Sequence, residues 1–133
     1  MQDSSDTPPS ALDAEIADQL FAVTTQDEQT ELRAMLREML SDVSRRLDAL
    51  RDTAETTTPA EARHELHQLK GNAASFGFSL SAAHIARLEN DWDSLSPDTR
   101  IRLLTAGIED LHSGAAELTA RHDYLVLDCG DKR

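Results

Sequence analysis

The chain has 133 residues and a formal net charge of −12, with only 4% aromatic residues. That length supports one domain with a real core. The charge argues against nucleic acid and anionic membrane surfaces, both of which demand a basic face. A single cysteine, Cys129, excludes an internal disulfide and a cysteine metal site. No apolar run approaches about 18 residues, and the polar, acidic start does not read as a signal peptide. The default expectation is a soluble, cytoplasmic protein.

Residues 1–9 are polar, with two prolines, and are expected to form a disordered arm. Ser10 is placed to cap a short helix through residue 23, with Leu12, Ile16, Leu20 and Val23 as its apolar stripe. Thr25 and Glu28 make a possible capping box for a helix to residue 50. Its expected core face is Leu32, Met35, Leu36, Met39, Val43, Leu47 and Leu50. Residues 52–58 form a loop with three consecutive threonines.

Thr58, Pro59 and Glu61 mark the next helix start, as cap, first helical residue and capping-box partner. This central helix runs over residues 59–76, and Gly77 is placed to end it. Ser79 or Ser81 caps a helix to residue 93, with Ala82, Ile85, Leu88 and Trp92 inward. Ser96 and Pro97 repeat the cap-then-proline signal. The last main helix carries Ile101, Leu104, Ile108, Leu111, Ala115 and Leu118 on one face, and Gly107 and Gly114 allow close helix approach. Beyond residue 121, Tyr124, Leu125, Val126 and Leu127 form a short apolar run expected to pack back. Four main helices with short connections predict an all-α, antiparallel up-down four-helix bundle with an additional short N-terminal helix. The bundle domain spans residues 10–120, and 121–133 is a tail.

The central helix carries the chemistry. Ala62, Leu66, Leu69, Ala73 and Phe76 form its buried stripe. His67 falls roughly 140° from that direction, where a core histidine does not sit. One turn on is Gly71, and two turns on is Ala74. Arg63 and Lys70 lie within reach on the same helix. A glycine inside a helix costs roughly 1 kcal/mol against alanine, and access to His67 by something bulky is a reason for it. Imidazole is a competent nucleophile near neutral pH.

His67-Gln68-Leu69-Lys70-Gly71, followed by Gly77 and by Leu88-Glu89, resembles the signature of histidine-containing phosphotransfer (HPt) domains. The resemblance covers roughly residues 25–120. It implies that His67 is the phosphorylated residue and Lys70 the cation beside the phosphoryl group. It implies that Gly71 gives clearance and that Gly77 is the glycine near the helix end. Leu66 departs from the alanine common in the family, but it belongs to the core stripe. A docking and access patch beside the histidine would draw on Arg63, His64, Gly71, Ala74, Gly77 and Phe78. The chain has no ATP-binding pattern, so it would be a passive carrier with no cofactor of its own. The implied partners are response-regulator receiver domains, with Mg²⁺ on the partner, and a hybrid histidine kinase. A monomer is expected. A starting methionine and a polar arm favour a free-standing shuttle over a segment of a hybrid or chemotaxis-type kinase.

A di-metal carboxylate bundle is the rival class, because Glu61 and His64, and Glu109 and His112, are both Glu-x-x-His pairs, with Glu38 and Glu89 on the other helices. Register opposes it: Glu61, His64 and Glu109 lie roughly 100–160° from their core directions. His84, His112 and His122 have no motif around them. The acidic runs Asp27-Glu28 and Glu89-Asn90-Asp91 read as helix-end or solvated charge.

Overall fold

The structure, a computed structural model, describes residues 10–125. Among them are five α-helices and no strand: α1 (Ala14–Phe21), α2 (Gln26–Asp52), α3 (Pro59–Ser75), α4 (Ser79–Asp91) and α5 (Pro97–Arg121). Short 3-10 turns follow α4 at Trp92–Ser94 and α5 at Asp123–Leu125. Helix α3 packs most extensively on α4, α4 on α5, and α5 on α2, and α2 closes the ring against α3. The arm at residues 1–9 and the tail beyond residue 125 lie outside the described residues.

Three helix starts follow from local chemistry. Thr25, Thr58 and Ser96 each accept a hydrogen bond from the backbone N–H three residues on. Thr58 and Glu61 complete a full capping box, and Pro59 and Pro97 stand at the first helical positions. The other two starts differ from expectation. Asp13, not Ser10, caps α1, accepting from the N–H groups of Glu15 and Ile16. Ser10 instead donates to Glu117 Oε1 at 2.6 Å, tying the chain start to α5. Neither Ser79 nor Ser81 caps α4, which begins directly after Phe78. Ser81 is fully buried and donates to the Gly107 carbonyl at 2.9 Å.

The α3–α4 turn is fixed from both sides. Gly77 has φ +87°, the left-handed conformation that ends helices at low cost only for glycine. Gly77 N–H donates to Ala74 O, and Phe78 N–H donates to Ala73 O, a Schellman arrangement. The Gly77 carbonyl then accepts from Asp13 N–H at 2.7 Å, so the start of α1 is fastened onto this turn. Tyr124 donates to the Phe21 carbonyl at 2.8 Å, and Leu125 is buried, so the part of the apolar tail that is described does pack back.

The core stripes of α3 and α4 fall as expected, with Ala62, Leu66, Leu69, Ala73, Ile85, Leu88 and Trp92 buried. Three stripe members turn out exposed: Ile16, Met35 and Ile101. Helix α1 faces inward through Ala17 and Phe21, because the Asp13 cap and the Gly77 contact set its rotation. Helix α5 buries Leu103, Gly107 and Gly114 along with Leu104, Leu111 and Leu118, leaving Ile108 and Ala115 only half-buried.

The two buried glycines of α5 differ in what they accommodate. A Cβ at Gly114 would stand 2.7 Å and 2.9 Å from ring atoms of the fully buried Phe78. A Cβ at Gly107 would meet its nearest neighbour, Leu47, at 3.6 Å, an ordinary contact. Glycine-to-alanine in a helix gains about 1 kcal/mol, whereas overpacking costs about 1–3 kcal/mol. Gly107→Ala should therefore raise the urea midpoint and Gly114→Ala should lower it. Equal shifts for the two variants would contradict this packing.

Candidate functional site

The exposed rim of α3 facing α4 holds His67, Lys70, Gly71 and Ala74. The His67 side chain is 70% exposed. Its Nδ1 lies 3.0 Å from Glu89 Oε2 on α4. Lys70 Nζ lies 2.7 Å from the other oxygen of the same carboxylate, Oε1. The Glu89 side chain is only 16% exposed, so this charge is held between two helices rather than solvated. That corrects the sequence expectation for the Glu89-Asn90-Asp91 run. The Leu88-Glu89 pair was visible in the motif, but its role needs a contact across helices that no local pattern reveals.

The charge relations fix the ring. Lys70 first, then the His67 contact, hold the Glu89 carboxyl below the usual carboxylate range, against an opposing effect of burial. An ionised carboxylate only accepts hydrogen bonds, so Nδ1 is the donor in this pair. In the neutral ring, the lone pair is then on Nε2, the nitrogen not turned toward Glu89. The Lys70–Glu89 contact is a close ion pair outside good hydrogen-bond alignment, which leaves Glu89 Oε1 buried with a charge beside it but no aligned donor. Lys70, one-third exposed, is thus held near the imidazole by charge rather than by a directional bond.

Gly71 has open space around it: a Cβ there would meet nothing within 4 Å. Packing within the protein therefore gives no reason for glycine. What the missing side chain does is leave bare backbone beside His67 on the outer surface.

The remaining predicted positions separate. Ala74 is exposed on the same rim. Arg63 is exposed and pairs with Asp93 at 3.3 Å, directed to the 3-10 turn after α4. His64 is exposed and lies 3.5 Å from Gln68 across one turn of α3. Gly77 is buried in the α3–α4 turn. Phe78 is a correction: it is fully buried against Gly114 and is not available as a docking surface. Glu61, His64, Glu109 and His112 all point outward, away from any shared interior point. Among the described residues, no group of three or more His, Cys, Asp or Glu side chains is arranged to hold a metal ion.

Fold and site together define a helical bundle that presents an exposed histidine, held through one ring nitrogen, on an open helix face. The Hpt domain family model matches residues 19–114, and the chain belongs to that family. No curated protein and no solved structure matches the chain significantly. Membership carries histidine phosphotransfer in two-component signalling and interaction with receiver domains. Among the described residues, no helix is long and apolar enough to cross a membrane.

The Glu89 pairing sets a pH dependence. A carboxyl whose folded pKa is lowered adds stability above its unfolded value, about 4.3, and loses it as pH falls through the folded value. Glu89→Gln removes that contribution. Between about pH 6 and pH 3, the urea midpoint of Glu89→Gln should therefore fall less steeply than that of wild type. Parallel profiles would contradict the pairing.

Proposed function

We propose that this protein carries a phosphoryl group on His67, taken from a receiver-domain phospho-aspartate and passed to another receiver aspartate. The observation that carries the reading is the combination at one rim: an exposed imidazole held at Nδ1, with an unhindered glycine one turn away. In the transfer, the Nε2 lone pair forms the N–P bond while the aspartyl P–O bond breaks and the aspartate leaves as carboxylate. The proton on Nδ1 stays with the ring, and the Glu89 carboxylate balances the positive charge the ring then carries. Lys70 turns from Glu89 toward the phosphoryl oxygens, whose charge it stabilises. The return step runs the same bonds in reverse onto a second aspartate.

The receiver brings the aspartate and its Mg²⁺, and this chain acts as a carrier without kinase activity of its own. Gly71 and Ala74 give the partner close approach, with Arg63 and His64 at the rim of the docking area. We read the helices as an antiparallel four-helix bundle with α1 as an added N-terminal helix. We take the protein to be a cytoplasmic, monomeric shuttle between a hybrid kinase and a response regulator.

The test is transfer of radiolabel from a phosphorylated receiver domain. Wild type should acquire acid-labile, alkali-stable label, and His67→Gln should acquire none while keeping its helicity. Gly71→Trp should fold, because its side chain enters open space, yet transfer at least about tenfold more slowly, since a misplaced approach of about 1 Å costs more than that. Normal transfer by Gly71→Trp would remove the steric role of the glycine, and label on His67→Gln would remove His67 as the acceptor.

A further inference from the structure

Across the bundle from the His67 rim lies a second feature. Helices α2 and α5 leave between them a groove of about 880 Å³. Its position follows from the packing ring: α3 pairs with α4 on one side, and α2 with α5 on the other. Leu40 and Ser44 line it from α2, and Ile108, Ala115 and Ala116 from α5. Leu40, Ile108 and Ala115 are half-buried and continuous with the core. Helix α5 therefore has a wider apolar stripe than its own bundle covers.

The groove has the dimensions of a helix site. From Arg37 to Arg51, α2 lines it over about 21 Å at 1.5 Å per residue, close to four turns. Its lining is formally basic in an acidic protein, although two of its three arginines are paired with acids of α2. The lining holds three arginines, Arg37, Arg45 and Arg51, against one acid, Asp48. The chain as a whole is at −12. All three arginines stand on the α2 side, and the α5 side is apolar apart from Thr119 and His112. Asp48 pairs with Arg51, and Arg45 pairs with Asp42 outside the groove.

We infer that the α2–α5 groove docks an acidic amphipathic helix of a partner protein, its apolar stripe on Ile108 and Ala115 and its acidic flank along the α2 arginines. Helix-in-groove recognition uses this geometry, with apolar anchors at i, i+3, i+4 and i+7. A second copy of the chain is a poor occupant, because a self-complementary contact would bring two arginine rims together. Because the groove and the His67 rim lie on different sides, a docked helix leaves phosphotransfer open. The protein would then be held by one partner while exchanging phosphate with another.

The probe is a fluorescent peptide of about 18 residues, with leucines at helical spacing and glutamates along one flank. It is titrated into the full chain and followed by anisotropy and by ¹⁵N chemical shifts. Saturable binding is expected, with shifts centred on residues 37–51 and 108–119 and no change in label transfer to His67. The paired substitution Arg37→Glu and Arg45→Glu, on exposed side chains, should weaken binding at least about tenfold, as should Ala115→Glu. Five results of the peptide experiments would overturn the inference. These are no saturable binding, equal binding of a lysine-flanked peptide, unchanged affinity in the arginine variant, loss of His67 labelling with the peptide bound, and shifts centred on residues 126–133, which would make the tail the occupant. A dimer in sedimentation that dissociates on Ala115→Glu would assign the groove to a second copy instead.

Discussion

The two oxygens of Glu89 join the parts of this protein that matter to one another. One oxygen accepts from His67, the other faces Lys70, and the carboxylate itself stands on a different helix. A charge only 16% exposed is costly to hold unless it is paired. Here the partners are His67 and Lys70, one helix turn apart on α3. The same carboxylate therefore accepts from Nδ1 of the ring, pairs with Lys70 and couples α3 to α4. Its position depends on how closely those helices meet, which the turn at Gly77 determines.

That turn shows why the rest of the chain is needed. Gly77 ends α3 in a left-handed conformation, and its carbonyl is held by Asp13 at the start of α1. Phe78 then enters the core where Gly114 has no side chain, which draws α5 against the α3–α4 end. Farther along, Arg46 makes two hydrogen bonds of 2.7 Å to Glu65, a bidentate tie from α2 to α3. His67 thus sits on a helix packed between neighbours on both sides, and its exposed ring is held by Glu89 across the α3–α4 contact.

Much of this was legible in the chain because it rests on local chemistry. Caps at Thr25, Thr58 and Ser96, the apolar stripe of α3, the outward register of His67 and the terminating role of Gly77 all depend on residues within a turn or two of each other. The misreadings share the opposite cause. Asp13 and Ser10 are both good caps, and only the contact of Asp13 with Gly77 decides between them. Phe78 beside a glycine resembles an exposed docking residue until Gly114, distant in sequence, provides its pocket. Glu89 looks like one more surface acid until α3 lies beside it. Met35 and Ile101 fit their stripes by period, but the neighbouring helices do not extend over them.

Glu89 holds Nδ1 of His67, and in the proposed transfer Nε2 is therefore the nitrogen that takes the phosphoryl group. The most direct measurement is ¹⁵N–³¹P NMR of the phosphorylated protein with labelled histidine. Coupling of phosphorus to Nε2 of His67, with Nδ1 still protonated, is the predicted result. Phosphorus bonded to Nδ1, or to a histidine other than His67, would contradict the account.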